Sequence, residues 1–250
     1  MTTPKYSSSK RTAVSRSEGI AAILRDEILR GQYRAGERLP SERDLTTRFA
    51  TSRGAVREAL KKLEQLGIAS IHPGGARVVP VDHCTLDVLG PLLDLNDVPD
   101  IKLVDEVLHV LGVLMDTAAR AALDKATDED LEYADEIIAE MLSSDSTGAR
   151  MHDATRKLGE FFVDVADHLV LRLIVNGLRT TFVARLRELG IRPKLSHESH
   201  RNVAMELRAA LANRDAIAIG RAMRDLNRIF RNNARDALLS ARTGNTRTTV

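Results

Sequence analysis

Glycine and proline fall so densely in one stretch of this chain that they set the length of everything between them. Gly31, Gly36, Pro40, Gly67, Pro73, Gly74, Gly75 and Pro80 break the backbone repeatedly between residues 31 and 81. Glycine enters left-handed turns without steric cost, and proline cannot continue a helix. Only short helices and short strands fit between such breaks. From Ile101 onward the pattern changes, and apolar residues recur at helical spacing with no strand alternation. With 250 residues in all, this contrast points to two domains rather than one.

The first eighty residues resolve into elements. Residues 1–16 are polar and read as a disordered basic arm. Ser17 is positioned to cap a helix in which Ile20, Ile23, Leu24 and Ile28 recur at helical spacing, with Gly31 as its left-handed stop. After a turn at Gly36 and Pro40, Ser41 caps a second, short helix, with Asp44 completing a capping box. A third helix follows Thr51-Ser52 and ends at Gly67, with Val56, Leu60 and Leu63 as its buried stripe. Arg53, Arg57, Lys61 and Lys62 lie on or beside its outer face. Two short helices joined by a tight turn, the second richer in exposed base, form a helix-turn-helix. Two β-prone runs around Pro73-Gly74-Gly75 then make a hairpin, the wing of a winged helix. His72 reads as a strand residue.

Charge agrees with this division. Residues 1–80 carry 15 basic and 8 acidic side chains, and residues 81–250 carry 22 and 27. A net of +7 joined to a net of −5 suggests that the N-terminal block meets a polyanion. The single cysteine, Cys84, excludes an internal disulfide. No apolar run reaches the roughly 20 residues of a membrane helix, and the N-terminus lacks a secretory core. A soluble cytoplasmic protein with no membrane partner is expected.

The segments G31-Q-Y-R-A-G-E-R-L-P-S-E-R-D-L45, S52-R-G-A-V-R-E-A-L60 and L63-E-Q-L-G67 resemble the winged helix of the GntR family of bacterial transcription regulators. The expected domains are a winged helix-turn-helix over 17–80, a linker over 81–100, an all-helical effector-binding and dimerisation domain over 101–243, and a disordered tail over 244–250. The resulting fold class is mainly α, with a small β-hairpin wing and an antiparallel helical bundle. The resemblance implies a homodimer reading a double-stranded, palindromic operator. Arg53 and Arg57, one turn apart, are suited to pair with guanine in the major groove, and Arg43 to reach a base or the backbone. Ser52 is placed to donate to a phosphate at the helix N-terminus, beside Gly54. At the wing, Gly74 lets backbone approach the minor groove, with Arg77 nearby.

Helices are expected near 101–124, 127–144, 150–168, 169–190, 196–213 and 213–243. A118-A-R-A-A-L-D-K-A-T127-D-E-D-L131, L173-I-V-N-G177 and A209-A-L-A-N-R-D215 resemble the FadR subfamily of that group. Its C-terminal domain senses a small molecule, in most members beside a metal held by an Asp and a His four residues apart and by two later His. Here those positions fall on Thr155 and Gly159, or in a shifted register on Leu158 and Phe162, with Ala204 and Leu226 later. None can ligate a metal. His152, Asp153, Asp164, His168, His197 and His200 are the alternatives, with Asp164 and His168 sharing a helix face, although ordinary surface contacts explain them as well. The expectation is therefore the metal-free branch, without cofactor, responding to an acyl-CoA or other lipid-derived acid. Arg179, near Asn176, is the arginine best placed to meet such an anion, with His168 a further candidate. The alternatives are a metal-dependent, small-carboxylate-responsive regulator and a DNA binder without an effector. No catalytic constellation stands out, and an enzyme is not expected.

Overall fold

The computed structural model describes residues 15–143, 148–188 and 197–245, without the side chains of Gly148, Arg187, His197, Ser199, Gly244 and Asn245. The expected basic arm up to residue 14, Gly190 as a helix stop, and the end of the expected tail from residue 246 lie outside the described residues. The chain divides into two compact units, Met1–Leu95 and Asn96–Val250. Among the described residues no helix is long and apolar enough to cross a membrane.

The first unit contains α1 (Arg16–Leu29), α2 (Glu42–Arg48), α3 (Arg53–Gln65), β1 (Ala69–His72), β2 (Gly75–Val78) and α4 (Leu89–Leu93). Helix α1 starts earlier than expected. Ser15, not Ser17, is its N-cap, because Glu18 sits three residues after Ser15 and returns a bond to the Ser15 N–H at 2.8 Å, closing a capping box. Ser41 and Asp44 close the same box on α2, as the sequence predicts. Leu24, Leu39, Leu45, Val56, Leu63 and Ile68 make the core. The two strands pair antiparallel, with Ala69 opposite Val78 and His72 opposite Gly75. The segment before α2 extends this wing: the Leu39 N–H donates to Ala76 O and the Val78 N–H to Glu37 O, both at 2.9 Å. Residues read from the sequence as linker also join this unit. Val81–His83 and Leu86–Val88 form single 3₁₀ turns leading into α4, and Val88 is buried in the winged-helix core.

The second unit is helical: α5 (Ile101–Lys125), α6 (Asp128–Leu142), α7 (Gly148–Val165), α8 (Leu169–Leu178), α9 (Ala184–Glu188), α10 (His197–Ala212) and α11 (Ala216–Asn245). The longest helices, α5 and α11, pack together, and α10 bridges α11 to α6. Ala118, Ala122, Ile138, Phe162, Leu207 and Ala222 are among its buried centre. Two departures from the sequence reading affect this unit's chemistry. The helix expected over 169–190 is interrupted by a π turn at Arg179–Val183. Helix α7 ends at Val165, with Asp167 in the left-handed region at φ +47°, so Asp164 and His168 do not share a helix face. The His168 Nδ1 instead accepts the Leu171 N–H at 3.3 Å and caps α8, while Asp164 pairs with Arg172.

Candidate nucleic-acid interface and ligand cavity

Helix α3 presents an N-terminus without local compensation. Its first turn holds no acidic residue, unlike those of α1 and α2, the two helices before it. The first N–H groups of any helix lack intrahelical acceptors and hold partial positive charge. The Ser52 Oγ accepts only the Ala55 N–H, at 3.3 Å, and keeps its own proton for another acceptor. Gly54 adds no bulk: a Cβ there would have Ser52 Oγ, 3.9 Å away, as its nearest neighbour. Arg53 and Arg43 are exposed and form no ion pair among the described residues. An unneutralised helix N-terminus, a hydroxyl donor and two exposed arginines suit a polyanion.

Arg57 differs from its neighbours. Its Nε donates to both carboxylate oxygens of Glu42 on α2, at 3.0 and 2.9 Å, while its side chain stays 64% exposed. Glu42 thus fixes the stem of Arg57 and leaves its outer nitrogens outward. Sequence reasoning placed Arg57 but missed Glu42. The contact joins residues 15 apart in sequence, and no local signal pairs that carboxylate with that arginine.

At the wing, Arg77 on β2 donates to Gly36 O at 3.0 Å. Arg38 stands opposite it in an antiparallel bridge, and its Nε would lie 2.9 Å from a Cβ on Gly75. Gly75, at φ +113°, therefore carries the conformational demand of this turn, whereas Gly74 is simply exposed at the tip. Sequence reasoning missed Arg38, because its segment does not read as a strand.

The second unit holds an open-sided cavity of about 160 Å³ between α5, α7, α8, the π turn and α11. Leu111, Met115, Val175, Met223, Leu226 and Phe230 make much of its wall apolar. Arg156 and Arg179 bring positive charge to the same wall. Both grip Glu160: Arg156 Nη1 reaches its two oxygens at 2.9 and 2.7 Å, and Arg179 Nη2 bonds one of them. Burial alone would raise the Glu160 carboxyl, but these arginines hold it below its ordinary value. Asn176 lines an adjoining outer cleft together with Glu160, Arg179 and Thr180. His168 lines neither space.

Residues 16–79 match the family described as bacterial regulatory proteins, gntR family. The HTH-type transcriptional repressor NanR of Klebsiella aerogenes is 30% identical over 206 residues, covering 79% of this chain and 75% of NanR. The chain belongs to the GntR family. The HTH-type transcriptional regulator Mce2R of Mycobacterium tuberculosis is 29% identical over 174 residues, spanning 69% of this chain and 72% of that protein. A solved structure, described by "Lar controls the expression of the Listeria monocytogenes agr system and mediates virulence", shares 17% identity with a TM-score of 0.51. It covers 90% of this chain and 98% of its own, a likeness of fold. GntR regulators are DNA-binding transcription regulators and not enzymes, and this chain is one of them.

Within this GntR regulator, the positions to which the resemblance assigns a metal do not fit one. Thr155, Gly159 and Leu226 line the cavity, yet the Thr155 hydroxyl donates to Met151 O at 2.8 Å and the other two offer no ligand. Ala204 is fully buried, as are Leu158 and Phe162 of the shifted register. Of the alternatives, His152 stacks on Phe230 with centroids 5.9 Å apart, and Asp153 is held by Arg156 and Lys157. His200 is buried, and the His197 side chain is outside the described residues. Among the described residues no three His, Cys, Asp or Glu side chains converge on a metal position.

Proposed function

We propose that this GntR regulator is a homodimeric, ligand-responsive repressor of the FadR type, from its metal-free branch, that binds an inverted repeat of double-stranded DNA in the cytoplasm. One observation carries the DNA-reading part: the N-terminus of α3 has no acidic residue, with Ser52, Arg53 and Gly54 exposed around it and Arg57 one turn on. Phosphate contacts from Ser52 and the helix N-terminus would set the register, and Arg53 and Arg57 would read guanine edges. Arg43 would reach the adjoining backbone, and Gly74, Arg77 and Arg38 would follow the minor groove. That NanR is named a repressor supports the sign of regulation.

An exposed apolar face on α8 supports the dimer. Leu169, Val170 and Leu173 are 69, 60 and 61% exposed, while Leu171, Val175 and Leu178 face the bundle. A helix apolar on both sides belongs between two layers, and a second copy would supply the missing one. The effector reading rests on the cavity. Its size suits the apolar tail of a short-chain acid better than a complete acyl-CoA, since a cavity of about 150 Å³ takes a molecule the size of benzene. Regulation requires only that the ligand bind the DNA-free and DNA-bound conformations with different affinity.

The test is a gel shift and footprint on the promoter beside the protein's own gene. A protected inverted repeat is expected, with Arg53→Ala and Arg57→Ala each losing about 1–3 kcal/mol of specific binding. Full affinity in both variants would remove α3 as the reading helix.

A further inference from the structure

The ion pair at the cavity wall has an arrangement that an anion receptor would have if its own chain filled it. Arg156 and Arg179 line the cavity, while Glu160, which both of them grip, lines the outer cleft instead. The carboxylate therefore stands at the wall between the two spaces. Of the remaining polar side chains in the lining, Thr155 donates to Met151 O at 2.8 Å, Asn227 donates to Leu108 O at 3.0 Å, and His152 stacks on Phe230. Arg156 and Arg179 are matched by Glu160 and by Asp153, which takes the Arg156 Nη2 at 2.6 Å, and Lys157 beside Asp153 is matched by Glu140, so each cation of this cluster already has a carboxylate. A second carboxylate would enter only by displacing one already present. Glu160 is the one with a space to move into, since it borders a cleft of about 350 Å³ that also holds Asn176 and Thr180, whereas Asp153 lines neither space and is held by Lys157 as well. The π turn places Arg179 where it borders both spaces, and a π turn inside a helix frequently marks a functional site.

We propose that Glu160 is an intramolecular competitor that occupies the carboxylate position on Arg156 and Arg179, and that an acid with a short apolar tail binds by expelling Glu160 into the outer cleft. This rests on reading the helical unit as a ligand sensor. The same device sets a threshold, because only an acid whose tail gains enough from the apolar wall can outcompete a carboxylate tethered beside its receptor.

Calorimetric titration of the full-length protein with hexanoate and with hexanamide tests this. Hexanoate binding to Glu160→Gln is expected to be at least about ten-fold tighter than to the unaltered protein, the worth of one charge-assisted bond. Hexanamide binding should barely change, and adding Arg179→Gln should erase the gain. Glu160→Asp, which keeps the charge but withdraws it, should give a smaller gain and guards against a misfolded Gln variant; melting curves check both. Equal hexanoate affinity in the unaltered, Glu160→Gln and Glu160→Asp proteins, or an equal gain for hexanamide, would overturn the competitor role while leaving the sensor intact. Binding of neither probe to any of them would overturn the sensor reading and this inference together.

Discussion

Ala50 turns the corner between α2 and α3 at φ +45°, a left-handed conformation that side chains with a Cβ avoid. Its neighbour Thr51 closes the end of α2 by donating to Thr46 O at 3.2 Å, so the corner cannot simply relax. Ala50→Gly is expected to leave DNA binding intact and to raise stability by up to about 1 kcal/mol, the steric relief exceeding the added chain entropy. Urea denaturation measures it. Glu27 offers the opposite test. Hydrogen bonds from Arg48 hold its carboxyl below the ordinary value, against burial, which raises it. A carboxyl with a depressed folded value contributes stability that is full above its unfolded value of 4.5 and lost as pH falls through the folded one. Glu27→Gln should therefore cost about 1–2 kcal/mol at neutral pH. It should also flatten the loss of stability as pH falls below the unfolded value of 4.5.

Between elements, the contacts that matter are short and specific. Glu42 reaches from α2 to orient Arg57 on α3, so it is a positioning residue rather than a reader of DNA. Glu42→Ala should lower the ratio of specific to non-specific DNA affinity, because Arg57 gains rotamers while the surface loses a negative charge. Competition gel shifts against unrelated duplex measure that ratio, and a purely structural role would move both affinities together. In the helical unit, α5 and α11 approach so closely that a Cβ on Gly220 would run into Asp116 and Arg120, which with Arg224 form an ion-paired cluster across the interface. Gly220→Ala is expected to lower stability by about 1 kcal/mol, displacement of this ion-paired cluster outweighing the better helix propensity of alanine, visible in thermal melting.

For the molecule as a whole, the proposed dimer rests on the exposed apolar face of α8. Leu173 lies at the middle of the apolar side of α8. Leu173→Glu should convert a dimer to a monomer in sedimentation equilibrium without unfolding the bundle, since the side chain already faces outward in the single chain. An inverted-repeat operator would then be bound more weakly through loss of the second reading head. Within the helical unit, several acidic side chains of α5 and α6 are neutralised by arginines far along the chain, as in Asp105–Arg231, Asp116–Arg224 and Asp135–Arg208.

Helix caps, turns and the winged helix could be read directly from Ser41, Asp44, Gly31, Gly67 and Pro73-Gly74, because these depend on backbone geometry over a few neighbouring residues. So could the helical nature of the second unit, since periodicity is local too. Glu42 beside Arg57, Arg38 against the wing, and Glu160 between Arg156 and Arg179 could not. Except for the single-turn spacing of Glu160 and Arg156, their partners stand 15 or more residues apart in sequence, and no local rule says which arginine a carboxylate will meet. His168 shows the same limit from the other side. Its four-residue spacing from Asp164 promised a shared face, but the helix ended between them and turned the ring into a cap. Local chemistry settled which elements form; their packing settled which charges are free to bind something else.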